Sequence, residues 1–279
     1  MKKILITGGN GYIGRYVTNN LLDKGYKVLV ADNRINGLDE RVEICKESIF
    51  SGSKNIYKDL GEPDICIHMA WRDGFIHNSS LHMLELSKHY EFIENMVNGG
   101  LKHIVVIGTM HEVGYWEGAI KNDTPCNPMS MYGIAKNTLR NSLEILLKDK
   151  DVVFQWLRLF YIMGDDINSN SIFSKIINME KKGEKKFPFT SGKNKYDFID
   201  IETLAEQIGS ASIQEKVTGI INCCSGCPIS LAEKVEEFIE KNDFNIKLEY
   251  GAFPDRKYDS PEVWGDNSQI KKILCQNKK

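Results

Sequence analysis

The stretch Thr7-Gly8-Gly9-Asn10-Gly11-Tyr12-Ile13-Gly14 decides how this chain is read. It follows residues 3–7, an apolar run of strand length, and opens a helical pattern over 14–24 that Gly25 closes. Gly8-x-x-Gly11-x-x-Gly14 between a strand and a helix is the setting a dinucleotide fingerprint requires. Small residues let the backbone approach a pyrophosphate, Tyr12 and Ile13 are expected among the cofactor contacts, and the helix N-terminus offers free N–H groups and a positive dipole end. A second apolar run, 27–31, ends at Asp32, about 20 residues further on, where a carboxylate reaches the adenosine ribose hydroxyls. Asp32 opposes a 2′-phosphate and favours NAD(H), whereas Arg34 is placed to pair with that phosphate in NADP(H). Asp32 also reads simply as a turn residue before Asn33.

The pattern repeats outward. Strand-length apolar runs at 64–70, 103–108 and 152–160 alternate with helical stretches near 54–60, 81–98 and 131–148. Such alternation means βαβ units and a parallel sheet with ligands at its C-terminal edge. The predicted fold is therefore α/β, a Rossmann-type doubly wound parallel sheet over residues 1–165. A smaller substrate-binding lobe follows over 166–279. The lobe is interleaved with the first domain, because strands near 196–201 and 220–224 are expected to return to its sheet. Helices are expected at 172–182 and 230–241, and an ordered loop over a pocket at 254–266.

Composition narrows the function. A net charge of -2 supplies no basic field for nucleic acid or an anionic membrane. No apolar run has the length of a signal peptide or a membrane span, so a cytoplasmic protein is expected. Seven scattered cysteines, an odd number, read as reduced thiols. Cys224-Ser225-Gly226-Cys227 has C-x-x-C spacing but lacks two further ligands at comparable spacing, so no metal is expected.

Tyr132-Gly133-Ile134-Ala135-Lys136 carries the chemistry. Four residues apart on a helix, Tyr132 and Lys136 share one face. A phenol near pKa 10 is a poor acid–base group at neutral pH, and a neighbouring ammonium stabilises its phenolate. Lys136 is also placed to hold the nicotinamide ribose. Thr109 ends a strand at the same sheet edge, where its hydroxyl can hydrogen-bond a substrate oxygen beside Tyr132.

With these residues in order, the chain resembles the extended short-chain dehydrogenase/reductase family, particularly its nucleotide-sugar epimerase, dehydratase and reductase members. The likeness spans nearly the whole chain through the glycine fingerprint, Ile67-His68-Met69-Ala70, the Tyr132–Lys136 motif, 158–164, 196–200 and 219–222. It implies a nucleotide-sugar substrate, cofactor contacts that include Ile49, Met69 and Ala70, and a homodimer built on helices near 81–96 and 142–147. It also implies Thr109 as hydroxyl partner, Tyr132 as acid–base, Lys136 as its modulator and Arg256 on a nucleotide diphosphate. Ser48, before Ile49, departs from the acid that relatives often place near the adenine.

Three reactions share this framework. Relatives that dehydrate carry an Asp-Glu pair directly after the strand-end threonine; Met110 and His111 stand there instead, so the general acid is missing. Epimerisation at C3 and C5 needs an extra acid–base pair, for which His77, His111 and Glu112 are candidates. The short chain and the Gly108–Val113 loop look most like reductases of 4-keto-6-deoxy sugar nucleotides. That is the preferred expectation, with His111, Trp71, Thr109 and Arg256 on the substrate. An NAD-dependent epimerase is the alternative, and a non-catalytic dinucleotide-binding sensor or scaffold a remote one.

Overall fold

A computed structural model describes residues 2–164, 171–255 and 259–276. β1 (Lys3–Thr7) leads through α1 (Tyr12–Asp23) to β2 (Lys27–Ala31) and β3 (Glu43–Cys45); α2 (Ile56–Asp59) precedes β4 (Ile65–His68). Two helices, α3 (Leu81–Leu84) and α4 (Leu86–Gly99), precede β5 (His103–Thr109). A 3₁₀ turn at Met110–Glu112, β6 (Gly118–Ile120), α5 (Met131–Leu147), β7 (Val153–Leu159) and β8 (Tyr161–Met163) follow. Next come α6 (Ile172–Lys181), β9 (Lys186–Pro188), β10 (Lys195–Asp200), α7 (Ile201–Ser212) and β11 (Gly219–Cys223). The chain closes with β12 (Pro228–Ser230), α8 (Leu231–Lys241), β13 (Lys247–Glu249), β14 (Glu262–Gly265) and α9 (Ser268–Gln276).

Among the described residues the main sheet has seven strands in the order β11-β7-β5-β4-β1-β2-β3, every pair parallel. Its central strands are apolar on both faces because helices cover both. Along β1, Ile4 and Ile6 join a core with Val17 and Leu21 of α1, Leu204 and Ile208 of α7, and Ile270 and Ile273 of α9. Leu5, one residue out of phase, packs on the other side with Phe92 and Met96 of α4 and Leu139 and Leu143 of α5. The chain runs outward from β1 to β3 and then returns to β4 on the opposite flank of β1. The crevice between the C-terminal ends of β1 and β4 is thus the switch point at which this architecture holds ligands.

Of the two strands expected to return to this sheet, β11 does, beside β7. The strand near 196–201 does not, and that expectation is corrected. β10 belongs to a second sheet in which its first half pairs with β12 and β14 and its last half with β8. Asp197, fully buried in β10, explains the preference: its carboxylate accepts from the N–H groups of Ser225, Gly226 and Gly265 and from the Ser225 hydroxyl. Those donors lie on the segments that flank β12 and close β14. The stretch 254–266, expected as a loop, therefore includes a strand, β14, that continues to β6. A phenylalanine-rich core (Phe173, Phe187, Phe189 and Phe198) fills this lobe. The single helix expected over 81–98 is broken at Glu85, whose buried carboxylate takes Arg72 Nη1 at 2.8 Å.

Candidate functional site

Gly8 sits at φ +70°, and a side-chain carbon there would lie 2.8 Å from the Ala70 nitrogen, so the loops after β1 and β4 touch. A Cβ on Gly14 would overlap the Gly8 carbonyl. Gly11 caps α1 without a side chain, which leaves the helix N-terminus open to an anion. These three positions make a cradle that any side chain would fill, and the fit to a pyrophosphate is good. Tyr12, Ile13 and Met69 border it, half-buried. Asp32 follows β2, and its two oxygens accept from Asn10 N–H and Arg34 N–H, each at 3.0 Å. The carboxylate is thereby fixed at the rim, with lone pairs remaining for ribose hydroxyls. The Arg34 side chain is exposed, while Ile49, four residues beyond β3, packs half-buried against the core on the α4 side. Asp32→Ser is expected to reduce the preference for NAD over NADP roughly ten- to a hundredfold, the worth of charge-assisted hydrogen bonds. The ratio of kcat/KM values for the two cofactors measures it, and an unchanged ratio would contradict the role.

The other end of the crevice brings Thr109, Tyr132 and Lys136 together. Ser130 caps α5 by accepting from Gly133 N–H, while Tyr132 N–H donates to the His77 carbonyl at 2.9 Å and Met131 N–H to Asn78. The loop after β4 therefore holds the start of α5. Gly133 permits this packing, because a Cβ there would overlap the His111 carbonyl. Gly133→Ala, ordinarily favourable inside a helix, is expected to destabilise by about 1–3 kcal/mol through that overlap. Activity should fall with it as Tyr132 moves off Thr109; thermal unfolding and kcat/KM check both.

The half-buried Tyr132 side chain faces the Thr109 side chain across the crevice. Burial and the Glu112 carboxylate raise its pKa above the ordinary phenol value, and the Thr109 side chain partly offsets them. Lys136 is 2% exposed, and its Nζ donates to the Ile107 carbonyl at 2.7 Å and lies 3.8 Å over the Trp71 ring. Burial pushes this ammonium down to about 7, against the pull of Glu112. One of its three donors is spent on Ile107, so two remain for a ribose.

Glu112 anchors the arrangement rather than serving as acid or base. Fully buried, it accepts Thr109 N–H at 2.7 Å and Trp156 Nε1–H at 2.9 Å, with Arg158 Nη2 at 3.4 Å. With the Thr109 side chain it completes a capping box around the Met110–Glu112 turn, which fixes the direction of Thr109. Thr109-x-x-Glu112 is the spacing by which the sequence could have shown this. Its candidacy for C3/C5 chemistry is withdrawn, since its oxygens are engaged and sealed. Met110 is buried away from the crevice in a cluster with Val113 and Phe160.

Imidazoles line the remainder. The His111 ring lies 4.4 Å from that of His77, which stacks on Tyr132 at 5.7 Å and 16°. Burial lowers both, His111 to about 4, so each is neutral at pH 7 and neither is an acid for dehydration. A relay that the sequence reading missed runs beneath: Thr7 Oγ1 accepts from Met69 N–H and Ala70 N–H, which leaves its proton for His68 Nδ1 at 2.9 Å. His68 Nε2–H then donates to His89 Nδ1 at 2.8 Å. Thr7 and His68 meet because they are register partners at the ends of β1 and β4. Arg256, expected on a diphosphate, lies outside the described residues.

Residues 4–224 match the family model described as the NAD dependent epimerase/dehydratase family. The chain belongs to that family. This member is 45% identical over 267 residues to the dTDP-6-deoxy-L-talose 4-dehydrogenase (NAD(+)) of Aggregatibacter actinomycetemcomitans, an alignment covering 94% of this chain and 98% of the relative. It is 26% identical to UDP-arabinose 4-epimerase 1 of Arabidopsis thaliana over 97% of this chain and 74% of that one. In fold it resembles the UDP-N-acetylglucosamine 4-epimerase of Methanobrevibacter ruminantium, with a TM-score of 0.84 at 21% identity, over 98% of this chain and 91% of that one. As a member of this family the chain is a nicotinamide-dependent enzyme, and NAD is the favoured cofactor. Among the described residues no group of histidines, cysteines and acids could hold a metal ion, and no helix is long and apolar enough to cross a membrane.

Proposed function

We propose that this enzyme carries out NAD-linked oxidoreduction at C4 of a 6-deoxyhexose carried on dTDP, with reduction of the 4-ketone as the working direction. The observation that carries the proposal is Tyr132 facing the Thr109 side chain, with buried Lys136 one turn along the same helix. The substrate class rests on the 45% identity to the talose 4-dehydrogenase. Gly8, Gly11 and Gly14 would cradle the pyrophosphate, with Tyr12, Ile13, Met69, Ala70 and Ile49 around it, and Asp32 would hold the adenosine ribose. The nicotinamide, when bound, supplies or accepts the hydride. Thr109 donates to the sugar's O4, and Tyr132 gives that oxygen its proton as the carbonyl becomes a carbinol. Lys136 stabilises the resulting phenolate and holds the nicotinamide ribose until solvent reprotonates the tyrosine. His111 and Arg256 would contact the substrate. Buried Met110 and neutral His111 supply no acid for elimination.

The reading carries with it a cytoplasmic homodimer, supported by seven unpaired thiols and by the exposed Leu84 and Ile145 near the helices that would pair. The test is incubation with a panel of dTDP-linked 4-keto-6-deoxy sugars and either NADH or NADPH. Stoichiometric loss of reduced cofactor with one sugar is expected. Conversion of a sugar nucleotide to its C4 isomer without net consumption would replace this reading with the epimerase one.

A further inference from the structure

The environment of Lys136 is unusual for a buried ammonium. Among the described residues no carboxylate lies within ion-pair distance of it, and Glu112, whose charge acts on it, is committed to Thr109, Trp156 and Arg158. What meets it instead is an aromatic face, Trp71, at 3.8 Å. That is well inside the roughly 6 Å over which a ring attracts a cation, and indole is the strongest of the side-chain rings. The indole is itself fixed. Its Nε1–H donates to His82 Nδ1 at 3.1 Å, and His82 Nε2–H donates to the Ile76 carbonyl at 2.9 Å, which sets the tautomer. The ring also stacks on His89 at 4.3 Å and 17°, and His89 is held in turn by the Thr7–His68 relay. The polar contacts of His82, His68 and Thr7 thus converge on the orientation of one ring.

We propose that Trp71 is a positioning residue of the reaction, whose indole face takes the place of a carboxylate and keeps the Lys136 ammonium charged and aimed beside Tyr132. The inference rests on the roles proposed above for Tyr132 and Lys136. It gives the relay beneath the crevice a purpose and removes Trp71 from the sugar-binding residues. Burial alone drives Lys136 toward its neutral form, and a neutral amine would not stabilise a phenolate. The charged or titratable groups facing Lys136 are Glu112 from the turn after β5, His68 at the end of β4, His89 on α4 and Tyr132 on its own helix. Burial keeps both histidines neutral, and a change at position 71 leaves Glu112 in place.

The test replaces Trp71 with Phe and with Leu, and also with fluorinated tryptophans introduced by nonsense suppression, which keep the ring's shape while withdrawing electron density from its face. Lys136 ionisation is read without substrate, by competitive acylation across pH and mass spectrometry; kcat is read against pH. The order Trp, Phe, Leu should lower Lys136 ionisation progressively, by about one pH unit or more at Leu, with kcat at neutral pH falling about tenfold or more. Fluorination should move both in the same direction, and Phe should restore part of what Leu loses. Lys136 ionisation unmoved by fluorination, or the same in the Phe and Leu variants, would overturn the inference. Because that readout needs no sugar, a wild-type chain inactive on every dTDP-sugar tested would sink the substrate reading alone.

Discussion

Tyr132→Phe is expected to lower kcat by about 10²–10⁴-fold while leaving NAD binding and thermal stability close to wild type. The phenol hydroxyl lies in the crevice beside Thr109, so its loss leaves the core intact. The glycine cradle and Asp32 sit at the opposite end and are untouched. A scaffold or sensor would show little change, and retained turnover in Tyr132→Phe would remove the tyrosine from the mechanism. Lys136→Met should produce a comparable loss with a distinguishing stability profile. The folded state holds Lys136 at about 7, below its ordinary 10.5, so between those values the unfolded chain binds more protons. Wild-type stability therefore gains from this group as pH rises through that window, and its burial is most costly below pH 7. Lys136→Met should be more stable than wild type near pH 6, with the difference narrowing toward pH 10. Denaturant unfolding at several pH values reads the sign directly.

Glu112→Gln is expected to be the most damaging single substitution for stability, at about 3–5 kcal/mol. The glutamate is the counter-charge of a fully buried Arg158 and lies 4.0 Å from Arg140 Nε. Arg140 also pairs with Glu144 at 2.6 Å, but among the described residues Glu112 is the only carboxylate within ion-pair distance of Arg158. A glutamine of equal size keeps the shape and removes the charge, which leaves a buried cation uncompensated. The fall in melting temperature should be on the order of 10 °C, and kcat should drop too because the turn carrying Thr109 loses its anchor. An unfolding temperature within a degree or two of wild type would show that the carboxylate is not the keystone of this cluster.

The dinucleotide half was legible because its constraints are local: close-approach glycines, a strand before them, a helix after them and an acid at the next strand end. The Tyr132–Lys136 face was legible for the same reason, since helical spacing alone puts both groups together. What could not be read was long-range. Nothing near His68 announces that His89, 21 residues away, completes its hydrogen bonding, or that Trp71 covers Lys136. β10 has the pattern of a sheet strand, and only the donors from the turn after β11 and from β14 draw its Asp197, and hence the strand, into the second sheet. Arg158, an arginine in a largely apolar strand, was, with the Thr109-x-x-Glu112 spacing, the visible sign of the buried cluster around Glu112.

The central claim is that hydride moves between the cofactor and C4 of the sugar with Tyr132 handling the proton. The most direct measurement uses NADH carrying deuterium at the transferable position, the dTDP-linked 4-keto-6-deoxy sugar that consumes it, and proton NMR of the product. Deuterium at C4, with loss of the H4 signal and one equivalent of NAD formed, is the predicted result. A C4 isomer with no deuterium and no net cofactor oxidation would contradict the claim.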